Sequence, residues 1–259
     1  MEVLLLVLIF LLGASVGSFL NVCIVRLPKG KSIVKPGSHC PECQSPIRFY
    51  DNIPLLSYLV LKGKCRSCGA PIAPRYFMVE ALSGLLGLGL FCVFGLSVEF
   101  VVYFVFFAAL LVVIFIDLDT YTIPDVITIP GIVAGLLAAL LLPRHTVAGS
   151  LLGLAAGGGI LFTVAMLYQL LRKKEGIGGG DIKLLAMIGA FLGLPGVLFT
   201  LFTSSLVGAV AGLLVLRKEK GSGSTMIPYG PFLALGAMTY VFWGPVIIRW
   251  YLHQLRPPL

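Results

Sequence analysis

Charged residues are scarce in this 259-residue chain and make up 12% of it, whereas about 25% is typical of soluble domains. This scarcity excludes an ordinary soluble domain. Hydrophobic residues account for 58% of the chain, the mean hydropathy is +1.03, and apolar runs of membrane-spanning length recur along it. These features predict a helical protein that crosses the lipid bilayer several times. We therefore attribute the net charge of +8 to basic cytoplasmic loops, and we expect no nucleic-acid partner.

A basic segment is missing from the start of the chain, where a secretory signal peptide would carry one. We therefore expect residues 1–25 to remain as a first transmembrane helix. Gly13 and Gly17 lie four residues apart in this helix, a spacing that lets two membrane helices pack closely.

Long hydrophilic stretches are also rare, and the only large one covers residues 26–75. It holds nine of the nineteen Lys and Arg residues but only two acids, Glu42 and Asp51. Because basic loops tend to stay in the cytoplasm, this imbalance predicts a cytoplasmic loop domain and an N-terminus on the opposite side of the membrane.

The apolar runs predict about eight transmembrane helices. Their expected limits are 3–25, 76–95, 98–116, 126–142, 147–171, two helices within 182–216, and 230–251. The run 182–216 is too long for one span at about 1.5 Å per residue, and residues 193–196 (Gly-Leu-Pro-Gly) form its natural break. The sequence thus predicts an all-α polytopic membrane protein with a first helix (1–25), a loop domain (26–75) and a membrane-embedded domain (76–259).

The run Gly178-Gly179-Gly180 is followed directly by Asp181 at the start of an apolar segment. Consecutive glycines permit a left-handed backbone and a close approach to other backbone or to a substrate. An ionisable side chain at the edge of a membrane span usually faces a protein interior or a water-filled cavity and marks function. The simpler alternative is that Asp181 caps a helix N-terminus, although a cap needs no triple glycine.

A second carboxylate, Asp117, ends the third predicted span, and the charge pattern places it at the same cytoplasmic face as Asp181. Two carboxylates that share a site do not both ionise easily, so one keeps a proton. The charged member can deprotonate a water while the protonated member polarises a peptide carbonyl. The alternative for Asp117 alone is a helix end that faces lipid headgroups. Asp119 and Asp125 are weaker candidates, and Glu80, an intramembrane carboxylate, suits a supporting role at the site or a structural role equally well.

Four of the six cysteines lie in the hydrophilic loop as two CxxC pairs, Cys40 with Cys43 and Cys65 with Cys68, separated by twenty-one residues. This spacing is typical of a zinc site with four thiolate ligands. A cytoplasmic location disfavours structural disulfides, and a closed zinc site would stabilise a loop too small for a large core. The alternatives are metal-free, reduced cysteines or a site in which His39 replaces one thiolate. We expect a structural Zn²⁺ in a zinc-ribbon-like loop domain.

Further motifs accompany these residues in a fixed order. They are Gly17-Ser18-Phe19-Leu20-Asn21-Val22 with Arg26-Leu27-Pro28, the two CxxC pairs, Asp51-Asn52-Ile53-Pro54-Leu55-Leu56-Ser57-Tyr58, Arg75-Tyr76, Val79-Glu80, Asp117-Leu118-Asp119, Ile123-Pro124-Asp125, Gly178-Gly179-Gly180-Asp181, Lys183-Leu184 and Ile227-Pro228-Tyr229-Gly230-Pro231-Phe232. The ordered set resembles the bacterial type IV prepilin peptidases, a family of bifunctional leader peptidases and N-methyltransferases. The resemblance spans nearly the whole chain.

The resemblance implies an aspartic protease of the GxGD class with Asp117 and Asp181 as its catalytic pair. The residues expected to form or support the active-site loop are Gly178, Gly179, Gly180, Lys183 and Glu80. The substrates implied are prepilins and pseudopilins of type IV pili or type II secretion. They would be cut after a glycine at the cytoplasmic face of the bacterial inner membrane.

The resemblance also implies methylation of the new N-terminal amine with S-adenosylmethionine. No glycine-rich nucleotide-binding fingerprint follows a strand in this sequence, so we expect no Rossmann-type methyltransferase domain. We expect the methyl donor to bind the cytoplasmic loop, with Asp51, Asn52, Gly63 and Lys64 as candidate contacts.

Three other functions compete with this interpretation. A different GxGD intramembrane protease shares the aspartate pair, but the resemblance does not extend to it through the cysteine loop or residues 51–54. A proton- or cation-coupled transporter also uses paired intramembrane acids, yet transport predicts acids near the middle of the bilayer and internal repeats. A zinc-ribbon scaffold without catalysis leaves the glycine run and both aspartates unexplained.

Overall fold

The computed structural model describes residues 2–142, 145–173, 176, 178–218 and 227–254. Within these ranges the chain forms α-helices and short 3-10 turns, with no β-strand. The helices are α1 (Glu2–Arg26), α2 (Leu56–Val60), α3 (Arg75–Phe94), α4 (Val98–Thr120), α5 (Asp125–Leu141), α6 (Val147–Arg172), α7 (Gly179–Lys218) and α8 (Gly230–Gln254). Parts of three predicted loops, residues 143–144, 174–175 with 177, and 219–226, lie outside the described residues.

Six of the described helices (α1, α3, α4, α6, α7 and α8) are long and apolar enough to cross a membrane. The apolar helix α5 is shorter, at 17 residues. Helix α7 is interrupted at Gly193, whose φ of 68° and ψ of −176° belong to a backbone region that is essentially restricted to glycine. Counting α5 and the two halves of α7 gives eight apolar segments at the predicted positions. The all-α polytopic fold and the break at residues 193–196 are therefore confirmed.

The chain consists of two compact units, residues 1–112 and 113–259. In the first unit, α1 packs along α3 through small residues. A Cβ on Gly13 would lie 2.8 Å from the carbonyl oxygen of Ser83, and one on Gly17 would lie 2.7 Å from the Cα of Glu80. The Ser83 hydroxyl donates to the Gly13 carbonyl at 2.7 Å. The close helix packing predicted from the glycine spacing is confirmed, whereas the functional division after residue 75 stays a prediction.

The second unit contains the end of α4 together with α5, α6, α7 and α8. The first half of α7 forms its core, because residues 184–192 are all buried. Small residues again allow the approach of neighbouring helices: a Cβ on Gly135 of α5 would lie 2.8 Å from Ala190, and one on Gly153 of α6 would lie 2.6 Å from the Cα of Gly193. This packing brings the last turns of α4, the start of α7 and the start of α8 together.

Candidate active site and metal centre

Asp117 lies near the end of α4 and is only 4% exposed. Its Oδ2 accepts a hydrogen bond of 3.0 Å from the backbone N–H of Gly230, the first residue of α8. A Cβ on Gly230 would lie 2.7 Å from the same oxygen, so only glycine allows this approach. The positive end of the α8 dipole therefore faces the carboxylate.

Asp181 lies in the first turn of α7. Its backbone N–H donates to the carbonyl of Gly178 at 3.1 Å. The charge of Asp117 acts electrostatically on the Asp181 carboxyl. The structure thus brings together the two carboxylates that sequence reasoning paired, although 64 positions separate them in the chain.

The glycine run before Asp181 makes a close approach at one of its three positions. None of Gly178, Gly179 and Gly180 is among the described glycines with a positive φ, so the left-handed backbone that glycine permits is not used here. A Cβ on Gly180 would lie 2.9 Å from the Cβ of Ile123, whereas one on Gly178 or Gly179 would meet nothing closer than 3.4 Å. Ile123 also lies against Gly230, where an added Cβ would be 3.0 Å from its Cδ1. Close approach to Ile123, rather than an unusual φ, explains why Gly180 has no side chain.

Lys183 forms an ion pair with Asp125 at the start of α5, with distances of 2.7 and 2.8 Å from Nζ to the two carboxylate oxygens. The two side chains are 43% and 53% exposed, and exposed pairs of this kind contribute about 0–1 kcal/mol. The pair connects the starts of α5 and α7. Asp119, the other weaker candidate, is exposed at the end of α4.

Tyr229, the residue that precedes Gly230, is anchored to α7. Its hydroxyl hydrogen-bonds with the hydroxyl of Ser204 on α7 at 2.8 Å, and Ser204 is buried. The motif around Tyr229 and Gly230 belongs to the family resemblance, but the sequence alone gives neither residue a role. A proline- and glycine-rich segment before an apolar run indicates a helix start, but it does not say what that helix start faces.

The four loop cysteines form one cluster in the first unit. Their Sγ atoms all lie within 4.8 Å of one another, and the pair Cys40–Cys68 is separated by 3.9 Å. In a tetrahedral zinc site with Zn–S bonds of about 2.3 Å, neighbouring sulfurs lie about 3.8 Å apart. The cluster therefore fits a four-thiolate zinc site. The alternative ligand His39 hydrogen-bonds through Nδ1 with the Gly37 carbonyl.

The two CxxC pairs belong to two copies of the same turn, a repeat that the sequence reading missed. The carbonyl of Cys40 accepts from the N–H of Gln44 at 3.0 Å, and the carbonyl of Cys65 accepts from the N–H of Gly69 at 2.9 Å. Both Gln44 and Gly69 are left-handed, with φ of 57° and 73°. The available sequence signal is the shared pattern at a spacing of 25 residues, Cys-x-x-Cys followed two residues later by Ser-Pro-Ile or Ala-Pro-Ile.

A cavity of about 620 Å³ lies between α1, the loop and α3 in the first unit. Of the four residues expected to contact the methyl donor, Asp51 and Asn52 line it, whereas Gly63 and Lys64 are not among its lining residues. Gly63 instead lies against the ring of Tyr58, and Lys64 forms a β-bridge with a proline of the second turn.

The carboxylate of Asp51 is already engaged. It receives hydrogen bonds from Nε and Nη2 of Arg66 at 2.9 and 2.6 Å. The hydrogen bond from Arg66 lowers the pKa of Asp51, and the positive charge of Arg66 acts in the same direction. The guanidinium also lies over the ring of Tyr50, 5.6 Å from its centroid.

Glu80 lines the same cavity from α3. Its Oε2 accepts a hydrogen bond of 2.8 Å from the N–H of Leu55, whose φ of 62° is left-handed, and Ser18 hydrogen-bonds to the same carboxylate. The structure therefore places Glu80 at the junction between α3 and the start of α2. The aspartate pair, by contrast, lies in the second unit.

Two family models match the chain. The Bacterial Peptidase A24 N-terminal domain matches residues 11–94, which include the cysteine cluster, and the Type IV leader peptidase family matches residues 104–213, which include both aspartates. Gly230 lies beyond the second match.

Relatives match the chain along nearly its whole length. A prepilin leader peptidase/N-methyltransferase of Aeromonas hydrophila is 37% identical over 95% of this chain and 93% of its own length. Its counterpart in Pseudomonas aeruginosa is 38% identical over 94% of this chain and 92% of its own length, and one from Myxococcus xanthus is 42% identical over 84% and 65%. No solved structure matches significantly. At this identity and coverage, the chain belongs to the bacterial type IV leader peptidase family, the prepilin leader peptidase/N-methyltransferases.

Proposed function

We propose that this chain is a prepilin leader peptidase of the bacterial inner membrane in which Asp117 and Asp181 form the aspartate pair of a GxGD protease. The observation that carries the proposal is the buried Asp117 carboxylate, held by the start of α8 within electrostatic range of Asp181. The family assignment supplies the substrate class, because the relatives are named for prepilins.

Leader cleavage hydrolyses one peptide bond, and the pair supplies both proton transfers. The Gly230 N–H and the α8 dipole stabilise negative charge on Asp117, so Asp117 is assigned as the base that takes a proton from the attacking water. Asp181 holds the proton that the two carboxylates retain and donates it to the carbonyl oxygen as the water oxygen bonds to the carbon.

Collapse of the tetrahedral intermediate completes the cycle. The C–N bond breaks as the leaving nitrogen takes the proton held by Asp117, and one hydroxyl of the intermediate returns its proton to Asp181. The products are the leader with a free carboxyl group and the mature protein with a free N-terminal amine. Both aspartates regain their starting protonation states.

The active site is proposed to face the cytoplasm. The basic loop of residues 26–75 favours the cytoplasmic side, and alternation of the helices then places the end of α4 and the start of α7 on that side. The substrates are prepilins and pseudopilins of type IV pili or type II secretion, whose basic leader would reach the site from the cytoplasm.

The second proposed activity is methylation of the new N-terminal amine, as the names of the relatives indicate. S-adenosylmethionine supplies a methyl group bonded to a positively charged sulfur. Transfer of that methyl group to the neutral amine would leave the C–S electron pair on sulfur, and the methylated nitrogen would release one proton to water. Zn²⁺ at Cys40, Cys43, Cys65 and Cys68 would be structural, because four thiolates leave no open position for a substrate.

The test compares the wild type with Asp117→Asn and Asp181→Asn in leader cleavage, read by mass spectrometry of a prepilin in detergent. Asparagine keeps the shape of the side chain and removes the titratable proton, so each variant should fold and lose cleavage. A gain of one methyl group that depends on S-adenosylmethionine would establish the second activity. Normal cleavage by either variant would remove that aspartate from the pair, and a wild type that never cleaves would favour the transporter alternative.

A further inference from the structure

The cavity of about 620 Å³ in the first unit has a size and a lining that suit a charged nucleoside. Pockets for ligands of drug size enclose about 300–1,000 Å³. Apolar and aromatic walls come from Val22 and Val25 of α1, from Tyr58, and from Tyr76 and Phe77 of α3. An adenine ring is a flat aromatic group that packs well on such walls.

Glu80 gives the cavity a negative charge that the described residues do not neutralise. The partners of its carboxylate are the N–H of Leu55 and the hydroxyl of Ser18, and both are uncharged. A half-buried carboxylate with two neutral donors retains acceptor capacity. Because buried charges are normally paired, Glu80 favours a cationic group on the ligand, whereas the basic residues that also line the cavity, among them Lys29 and Lys31, suit an anionic group such as a carboxylate.

Asn21 leaves a second polar group of the wall unsatisfied. The side chain is 2% exposed, and its amide nitrogen donates to the Tyr76 carbonyl at 3.0 Å. Its Oδ1 has no hydrogen-bond partner among the described residues. Buried acceptors of this kind are rare in native proteins, and an N–H or O–H donor from a ligand would satisfy it.

Asp51 and Arg66, which also line the cavity, neutralise each other. Asp51 therefore contributes shape rather than a free negative charge. Glu42, the third carboxylate of the lining, is exposed to solvent, so Glu80 is the half-buried carboxylate available to a cation.

We propose that this cavity binds S-adenosylmethionine, with Glu80 facing the positive charge of the methyl donor. The inference rests on the proposed methyltransferase function and deepens it. Of the four loop residues expected at the donor site it keeps Asp51 and Asn52, leaves out Gly63 and Lys64, and extends the site from the loop to α1 and α3.

The experiment measures equilibrium binding of S-adenosylmethionine to the full-length, zinc-loaded protein in detergent. Glu80→Gln removes the charge but keeps an oxygen that can accept the Leu55 N–H, so the loop should stay in place. We expect its Kd to rise tenfold or more, the loss typical of a hydrogen bond to a charged group. Val25→Trp fills the cavity without touching that hydrogen bond and should abolish binding.

Glu99→Gln is the matched control, because it removes a carboxylate from the first turn of α4, outside the cavity lining, and should bind the donor as the wild type does. Zinc content and thermal midpoint establish that each variant is folded, and Val25→Trp decides the result if Glu80→Gln loses zinc. If the wild type methylates and both cavity variants bind the donor as tightly as the wild type does, the cavity assignment alone is overturned. A wild type that neither binds the donor nor methylates a cleaved pilin would instead overturn the proposed function.

Discussion

The substitution Gly230→Ala tests whether the start of α8 positions the proposed catalytic pair, Asp117 and Asp181. The added Cβ would lie 2.7 Å from Oδ2 of Asp117 and 3.0 Å from Cδ1 of Ile123. Cβ atoms essentially never come within 3.0 Å of non-bonded heavy atoms, so the carboxylate or the helix start must shift by a few tenths of an ångström. The hydrogen bond from the Gly230 N–H would lengthen or break.

The expected loss follows from that hydrogen bond. A bond to a charged group contributes about 1.5–3 kcal/mol, and each 1.4 kcal/mol corresponds to about tenfold in rate. We therefore expect kcat for leader cleavage to fall by about 10- to 100-fold. KM should change little, because Gly230 contacts Asp117, the proposed base, and is assigned no contact with the substrate. Methylation of a substrate that is already cleaved should continue at the wild-type rate.

The assay is steady-state cleavage of a prepilin in detergent, with Gly208→Ala as the matched control. A Cβ on Gly208 of α7 would lie 3.7 Å from the Phe232 ring, which is an ordinary contact, and alanine is favoured over glycine within a helix by about 0.5–1 kcal/mol. Wild-type cleavage by Gly230→Ala, or an equal loss in the control, would refute the assignment of α8 as the element that holds Asp117.

The remaining predictions concern the zinc cluster, the loop and the helix packing. Cys65→Ser should lower the zinc content from one ion per chain to none, as measured by metal analysis. It should also reduce methylation more than cleavage in the two activity assays. An equal loss of both activities would contradict a loop dedicated to methylation. Arg66→Gln removes the partner that lowers the pKa of Asp51. A carboxyl group whose pKa is lower in the folded than in the unfolded protein stabilises the fold at a pH above its pKa in the unfolded chain, which is near 3.9. That stabilisation is lost as the pH falls through the pKa of the folded state. Thermal midpoints between about pH 3 and 7 should therefore be lower for the variant at neutral pH and converge with the wild type in acid; parallel curves would refute the ion pair. Gly153→Ala would bring a Cβ within 2.6 Å of a backbone Cα of α7 and should destabilise the folded protein by about 1–3 kcal/mol, which lowers its melting midpoint in detergent. In the control Gly159→Ala the added Cβ meets nothing within 4 Å, so its melting midpoint should be unchanged or higher.

Local pattern was enough to predict the helices and the cysteine cluster. Hydropathy depends on each apolar run alone, so the spans and the break near Gly193 could be read without knowing how the helices pack. The four cysteines were predictable because one residue type, in two pairs of fixed spacing, serves one chemistry. Asp117 and Asp181 stood out for a similar reason, since an acid at the edge of an apolar run is costly to place in a membrane.

Only the tertiary structure decided what surrounds those residues. Gly230 lies 113 positions from Asp117, and the hydrogen bond between them depends on the packing of α4 and α8, which no local pattern encodes. The same holds for Glu80, which a hydrogen bond to Leu55 places in a cavity of the first unit, and for Asp51, whose carboxylate is taken by Arg66. A carboxylate looks the same in a sequence whether it is free or paired, because its partner is chosen by the approach of segments that lie far apart in the chain.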